Sequence, residues 1–511
     1  MKGIVRRELR RRERRIRARL AKAGRESGER PMLTATGIRY GLSEKTRGIT
    51  VGGIGAMHLV AQKVGLIDEI DRRLHLLLRH APYHESDHVL NIAYNALCDG
   101  KCLEDIELRR NDEVYLDALG ATSIPDPTTA GDFCRRFERE DVETLRTAIN
   151  ESRLRVWRQQ PKEFFAEAIL EADGSIVETH GECKEGMDMS FKGEWGYHPL
   201  LVSLANTQEP LVIENRSGNR PSQEGAARRF DQAIDLVRRG GFQKVTLRGD
   251  TDFSQTAYLD GWDAAGVRFV FGFDSHEKLV KMAESLDSGA WEVLQREVKY
   301  EVKTTPRTKP RRVKEEIVRE RGYLNKYLLQ EDIGEFEYSP TKCKKTYRMV
   351  VVRKLISIER RQEVLFPELD YFFYITNRHD LTAEEVVLFA NDRCAQEKLI
   401  CQLKSPVSAL TAPVASLVSN EAFMVMASLA WSIKAWFALL LPAGGRWADR
   451  RETERRAVLR MEFKKFLNSF IRLPAQIVRE GRRIWFRLLS WNPWTPVLMR
   501  AVDALHARRL C

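Results

Sequence analysis

The order of strand-like and helix-like segments between residues 164 and 274 is the feature that most constrains the fold of this chain. Three segments rich in β-branched and apolar residues come first, namely AEAILEADGSIVETHG, YHPLLVSLAN and PLVIENRSG. A helical run, the strand KVTLRGDTDF, a second helical run and the strand RFVFGFD follow. Strands joined by short turns pair antiparallel, whereas strands joined through a helix pair in parallel. This order therefore predicts a mixed sheet flanked by helices, in a multidomain protein of the α/β class.

The sequence around this core divides into further predicted units. Apolar residues recur at three- and four-residue spacing before the core, which is typical of helices, whereas KKTYRMVVVRKLISI and YFFYITNR are β-rich. The predicted units are a basic, flexible N-terminal arm (1–48), an all-helical unit (49–160), the first part of the core (161–274), a β-rich insertion subdomain (275–376), the second part of the core (377–445) and a basic C-terminal helical region (446–511).

The charge of the chain is concentrated at its N-terminus. The net charge is +12, and residues 1–30 contribute thirteen lysines and arginines against four glutamates. A basic balance of this size favours nucleic acid or another anionic surface as partner. Two interpretations of the arm stay open, because a basic run either contacts DNA phosphates and orders on binding or forms a solvated extension.

The segment between Phe423 and Leu441 is long and apolar enough to cross a bilayer. It contains Lys434 near its middle and has no companion segment, so we interpret it as a helix of the protein core. The N-terminus has no apolar segment after its basic residues, which argues against a secretory signal. We therefore expect a cytoplasmic protein without a membrane partner.

Three acids occupy positions that are typical of a ligand-binding or catalytic site. Asp173 lies on or just after the first core strand, Asp250 ends the strand KVTLR, and Glu397 lies on a later helix. Acids at strand ends of an open sheet point into the crevice where ligands bind. Converging carboxylates repel each other unless a cation joins them, and a pair of divalent ions suits oxygen ligands. Each acid could instead be a turn, loop or surface residue, and Glu171, Glu178 and Asp252 are alternatives nearby.

The helix NDRCAQEKLICQLK places an acid between two cations on one stripe. At ~100° per residue, Arg393, Glu397 and Lys404 share a helix face with Ile400. The simplest interpretation is a surface salt bridge, worth a few tenths of a kcal/mol. The alternative is that Glu397 faces inward, Ile400 anchors the helix on the sheet, and the two cations meet a phosphate backbone.

Several stretches together resemble the DDE transposases of bacterial insertion sequences. The stretch from ADGSIVETHG to YHPLLVSLAN is similar to the first catalytic block, which maps onto Asp173. LRGDTDF resembles the second, which maps onto Asp250 and not Asp252, and the last helix resembles a Y-x2-R-x3-E-x6-K signature. The resemblance spans roughly residues 48–490. One departure is that Ala390 stands at the tyrosine position.

The resemblance implies a ribonuclease-H-like core in which Asp173, Asp250 and Glu397 hold two Mg²⁺ ions, with Mn²⁺ as a substitute. It implies a DNA-binding role for the helical unit, cleavage and strand transfer of DNA at terminal inverted repeats by a cut-and-paste route, and a homodimer that joins two ends near the nucleoid. The predicted DNA contacts are Arg393, Lys404, Arg248 and Trp291, although Trp291 could equally belong to the core of the insertion. The alternatives are a metal-dependent nuclease on the same core and an inactive DNA-binding derivative.

Overall fold

The computed structural model describes residues 3–23, 39, 46–80, 82–295, 324–360, 363–481 and 483–507. The basic run TTPRTKPRRVKEE of the predicted insertion lies outside the described residues, as does most of the arm after residue 23.

The helices are the following: α1 Gly3–Ala23, α2 Ile54–Lys63, α3 Leu66–Arg73, α4 Glu85–Leu97, α5 Glu107–Arg110, α6 Glu113–Leu119, α7 Pro127–Arg135, α8 Arg139–Trp157, α9 Ala226–Gly240, α10 Thr256–Ala264, α11 Glu277–Glu284, α12 Ala383–Asn391, α13 Cys394–Lys404, α14 Leu417–Leu439, α15 Ala448–Leu459, α16 Phe463–Phe466 and α17 Thr495–Ala507. Short 3-10 segments lie at Leu103–Ile106, Lys162–Phe165, Thr251–Phe253 and Ser288–Ala290, and a π-helical turn at Leu467–Ile471.

The strands are the following: β1 Gly48–Ile49, β2 Glu167–Gly174, β3 Val177–Glu178, β4 Asp188–Met189, β5 Trp195–Tyr197, β6 Leu200–Leu204, β7 Glu209–Glu214, β8 Lys244–Gly249, β9 Arg268–Phe273, β10 Glu292–Val293, β11 Leu324–Tyr338, β12 Tyr347–Arg360, β13 Glu363–Thr376, β14 Ala475–Glu480 and β15 Arg483–Leu488.

A mixed sheet forms the centre of the described part of the chain. Its strand order is β7-β6-β2-β8-β9-β13-β12-β11-β10. β2, β6 and β7 pair antiparallel, whereas β8 pairs parallel with both β2 and β9. Turn-linked strands are antiparallel and helix-linked strands are parallel, as the segment order predicts. The predicted mixed sheet flanked by helices is thus confirmed.

The described strands of the predicted insertion continue this same sheet. β13 pairs antiparallel with β9, with Phe373 opposite Phe273, and β12, β11 and β10 follow outward. The described strands of the predicted β-rich insertion subdomain therefore extend the core sheet, and the bounds of that subdomain stay a prediction. The physical reason is that β9 would otherwise leave an open edge, and β13 occupies that edge with backbone hydrogen bonds.

Helix α14 is the centre of the helical part of the fold. The membrane-length apolar window in α14 is buried entirely within the protein, in agreement with its interpretation as a core helix. It packs against α2, α4, α7 and α8 of the predicted helical unit and against α15. Because β1 also pairs with β14, residues 49–160 and the C-terminal region enclose one core helix together. The helical unit therefore does not stand apart from the rest of the protein.

A buried carboxylate joins the helices to the sheet. Glu209, at the start of β7, is completely buried and accepts hydrogen bonds from Arg153, Trp157 and Trp436 at 2.8–3.0 Å. These donors come from α8 and α14. A buried charge is tolerated only when it is paired and hydrogen-bonded, so Glu209 fixes the position of both helices on the sheet edge.

The first described residues of the predicted N-terminal arm form a helix. α1 spans Gly3–Ala23, and Arg12 Nη1 donates a 2.6 Å hydrogen bond to the Leu488 carbonyl of β15. The rest of the predicted arm up to residue 38 lies outside the described residues. Glu8 and Glu13 form ion pairs one helical turn away with arginines of the same helix, and such pairs stabilise an isolated helix.

Lys434 gives the stability of this protein a pH dependence. Its Nζ donates to the Leu459 carbonyl at 2.8 Å and lies 3.8 Å from the Trp431 ring centre, and burial lowers its pKa to about 7. A lysine whose folded pKa lies below its unfolded pKa opposes folding most strongly below the folded pKa, and this cost decreases as pH rises.

We expect Lys434→Met to stabilise the protein most near pH 7. The difference from wild type in free energy of unfolding should narrow above that pH by roughly 1.4 kcal/mol per unit. Urea unfolding between pH 7 and 9.5 measures it, with the exposed Lys244→Met as control. A difference that stays constant with pH would contradict this assignment.

Candidate active site

Two of the predicted acids lie side by side at one edge of the sheet. Asp173 is the penultimate residue of β2, and Asp250 follows directly after β8. β2 and β8 are parallel, with Glu171 opposite Arg248 in the register. Asp173 and Asp250 each follow this pair by two residues, so both project from the same end of neighbouring strands.

The third acid shares the electrostatic environment of the first two. Burial first, then the negative charges of Asp250 and Glu397, raise the pKa of Asp173 against the opposing effect of Arg393, to a net value of about 6. Coupling of this kind requires that the carboxylates lie near one another. Asp250 also accepts a 3.2 Å hydrogen bond at Oδ1 from the backbone nitrogen of Asp252, which fixes its carboxylate at the start of a 3-10 turn.

Arg393 lies among these acids. Its Nη1 is 2.8 Å from Oδ2 of Asp250, and its Nη2 is 3.7 Å from Oε1 of Glu397. Burial opposes the charge of Arg393, but Asp250, Asp173 and Glu397 outweigh this effect and raise its pKa. The guanidinium thus acts as the counter-ion of the three carboxylates.

The donor set suits a hard divalent cation. Asp173, Asp250 and Glu397 offer only carboxylate oxygens, which Mg²⁺ and Mn²⁺ prefer. As they stand, however, no three His, Cys, Asp or Glu side chains in the described ranges converge closely enough to hold a metal ion. The residue types and their charge coupling fit a metal site, and Arg393 contacts both Asp250 and Glu397 within it.

The helix that carries Glu397 is interrupted just before the site. α12 begins after the capping residue Thr382, whose side chain accepts a hydrogen bond from the Glu385 backbone nitrogen, and ends at Asn391. α13 begins at Cys394, so Arg393 occupies the break. The predicted stripe from Arg393 to Lys404 therefore lies on α13 and its N-cap residue.

The two sides of the predicted stripe differ in burial. Ile400 is buried as expected, but the Glu397 side chain is 59% exposed. The expectation that Glu397 faces inward is corrected, because Glu397 borders an open crevice. Lys404 ends α13 as an exposed side chain, and no ion pair involving it is found within the described ranges.

A histidine that the sequence interpretation did not single out borders the same crevice. His198 Nδ1 lies 2.7 Å from the Arg220 carbonyl, which can only accept, so Nδ1 carries the proton and Nε2 is an acceptor. A Cβ at Gly174 would lie 2.5 Å from this Nε2. Glycine follows Asp173 because the His198 ring occupies that space, and not because of a turn.

Arg248 is a structural residue of the site rather than a surface cation. It is 2% exposed, its Nε donates to Glu171 Oε1 at 2.8 Å, and its Nη1 donates to the Phe389 carbonyl at 2.7 Å. Its guanidinium also stacks on the Phe389 ring at 4.7 Å. The predicted DNA contact of Arg248 does not fit this geometry, because Arg248 and its partner Glu171 are both fully buried. Arg248 instead ties β2, β8 and α12 together.

Trp291 also differs from its predicted role. It is half-buried, packs against the main hydrophobic core, and carries the Arg353 guanidinium 4.1 Å from its ring centre. A face covered in this way is not available for stacking on a base. The structure therefore favours the alternative that Trp291 belongs to the packing of the β-rich region.

Glu171 and Phe389 are the partners that sequence reasoning missed. Glu171 precedes Asp173 by two residues, and Arg248 precedes Asp250 by two. Side chains two apart share a strand face, so this spacing could have indicated a buried pair below the acids. No spacing pattern indicated Phe389, because Arg248 binds its backbone carbonyl, a group that every residue carries.

Carboxylates at the ends of parallel strands, completed by an acid on a helix across a crevice, are typical of α/β enzymes that act on phosphodiesters. A family model described as transposase DDE domain group 1 matches residues 48–510, and the chain belongs to this family. The protein is thus a DDE transposase. None of the curated proteins compared matches the chain.

One solved structure to which the chain is similar is described as a piggyBac transposase synaptic complex with hairpin DNA. The identity is 10%, the TM-score is 0.36, and the alignment covers 85% of this chain and 83% of that one.

We expect the Glu171–Arg248 pair to behave as one energetic unit. Glu171→Leu and Arg248→Leu should each lower the free energy of unfolding by about 3–5 kcal/mol, because each leaves an unpaired buried charge. The double variant should lose less free energy of unfolding than the two single variants lose together. Urea unfolding of the four proteins measures this coupling, and additive losses would contradict it. The exposed Arg220–Glu224 pair is the control, with a coupling below about 1 kcal/mol.

Proposed function

We propose that this transposase binds the terminal inverted repeats of an insertion sequence and mobilises it by a cut-and-paste route. The observation that carries the proposal is the electrostatic coupling of Asp173, Asp250 and Glu397 at one sheet edge. The strand order β7-β6-β2-β8-β9, with acids at the ends of β2 and β8, supports the ribonuclease-H-like core.

The three acids are the proposed ligands of two Mg²⁺ ions, with Mn²⁺ as a substitute. Bound ions of this kind supply activation of water and stabilise the leaving oxygen of a phosphodiester. Lys404, exposed at the end of α13, is the proposed contact to a phosphate near the cut, and Arg393 is the second.

The proposed reaction has two stages. Water attacks the phosphodiester at the element end, the bond to the 3′ oxygen breaks, and a 3′-hydroxyl is released. This hydroxyl then attacks a target phosphodiester, forming one bond and breaking one. Since two ends must be joined, we propose a homodimer, acting in the cytoplasm at the nucleoid.

Two alternatives differ from this proposal in what they do to DNA. A nuclease on the same core would cleave without joining, so an assay with two end fragments and a target separates it from a transposase. An inactive DNA-binding derivative would do neither. The presence of all three acids favours an active enzyme.

We expect Asp250→Asn and Glu397→Gln to abolish cleavage, by at least about 10³-fold, because each removes a proposed metal ligand. DNA binding should stay within a few-fold of wild type. Asp252→Asn is the matched control, since Asp252 is an exposed acid two residues from Asp250 and is not a proposed ligand. Gel-based cleavage and mobility-shift assays measure both properties. Cleavage that survives in the first two variants would refute the site assignment.

We propose that α1 contributes to DNA binding through phosphate contacts. Arg7, Arg10 and Arg14 are exposed on one face of this preformed helix. Replacing all three by Gln should flatten the dependence of log K on log salt by roughly 0.9 per lost contact. The control is a variant with the same loss of charge, in which the exposed residues Arg450, Arg456 and Arg460 are replaced by Gln. An equal change in both variants would show that only net charge matters.

A further inference from the structure

We propose that Arg393 couples DNA binding to metal binding. Its guanidinium holds Asp250 and Glu397 until a DNA phosphate takes their place, so that DNA and the divalent ion bind with positive cooperativity. This inference rests on the proposed function and adds to it a mode of regulation within the same site.

The geometry makes Arg393 and a metal ion competitors for one oxygen. Asp250 Oδ1 accepts the backbone nitrogen of Asp252 at 3.2 Å, whereas Oδ2 faces Arg393 Nη1 at 2.8 Å. A divalent ion must approach a carboxylate oxygen to about 2.0–2.2 Å and carries its own charge there. Oδ2 cannot serve both cations in this way, so the ion gains its ligand when the guanidinium leaves.

Arg393 is held less firmly than the other arginine of the site. Its contacts to the acids are one close pairing, Nη1 to Asp250 Oδ2 at 2.8 Å, and one longer one, Nη2 to Glu397 Oε1 at 3.7 Å. Arg248, in contrast, makes hydrogen bonds to Glu171 and to the Phe389 carbonyl and is 2% exposed. Arg393 also lies at the break between two helices, with 20% of its side chain exposed.

The crevice is open where the exchange is proposed. The side chains of Asp250 and Glu397 are 34% and 59% exposed. A guanidinium pairs with phosphate as readily as with carboxylate and offers the same planar donors to both. Once Arg393 turns toward a backbone phosphate, the three carboxylates lose their counter-ion and repel one another. That repulsion strengthens the binding of a divalent cation.

Thermodynamic linkage relates the affinity for DNA to the affinity for the ion. If DNA raises the affinity for the ion by some factor, the ion raises the affinity for DNA by the same factor. Removal of the Arg393 guanidinium should raise the affinity for the ion as DNA does, because each ends the competition between Arg393 and the ion for Asp250 Oδ2.

The test is a titration of the full chain with Mn²⁺, carried out with and without a 40-base-pair DNA duplex. The concentration of free Mn²⁺ is measured by electron paramagnetic resonance. We expect the duplex to tighten Mn²⁺ binding to wild type by about 5–20-fold, in the usual range of coupling energies. Arg393→Gln should bind Mn²⁺ more tightly than wild type without DNA, by a similar factor, and should show no further gain with DNA.

Three further variants make the result decisive. Lys398→Gln removes an exposed cation of the same helix, paired with Glu462, and should leave the DNA-free affinity for Mn²⁺ unchanged. Arg393→Lys provides a second substitution with an intermediate effect if Arg393→Gln proves unstable in thermal unfolding. Asp250→Asn should abolish tight Mn²⁺ binding in every background.

The possible failures are distinct. Weaker Mn²⁺ binding in Arg393→Gln, or an unchanged DNA effect in that variant, overturns the coupling role while leaving the metal site intact. Mn²⁺ binding that is insensitive to Asp250→Asn overturns the metal site of the proposed function, and the coupling with it.

Discussion

The buried ion pair between Glu171 and Arg248 is the interaction on which the site depends. It joins neighbouring parallel strands directly below Asp173 and Asp250, and a third bond reaches the Phe389 carbonyl. Burial raises the pKa of Glu171 to about 7, while Arg248 opposes this shift. One guanidinium thus joins the two strands that carry Asp173 and Asp250 to helix α12. Rigid support of this kind is what a preorganised site requires.

Above this fixed layer, the site is less constrained. The acids are partly exposed, and their neutralising cation, Arg393, has 20% of its side chain exposed. The contrast between the fully buried Arg248 and the partly exposed Arg393 is the main physical distinction within the site. It separates residues that maintain geometry from residues that can respond to a substrate.

Much of the core could be predicted from the sequence, since periodicity and turn residues are local properties. The mixed sheet and the buried α14 follow from such patterns. The roles of Arg248 and Trp291 could not be predicted, because burial depends on what distant segments supply, here Phe389 and Arg353. The pairing of β13 with β9 could not be predicted for the same reason, since it joins residues about a hundred positions apart without a local signal.

The enclosure of α14 has a consequence for incomplete copies of this protein. The apolar faces of α4 and α8 are covered by a helix that begins only at Leu417, and β1 pairs with a strand that begins at Ala475. During synthesis the apolar faces of these N-terminal helices therefore stay exposed until most of the chain has been made. A gene truncated upstream of α14 would yield an aggregation-prone or degraded fragment, and not a stable DNA-binding competitor of the intact enzyme.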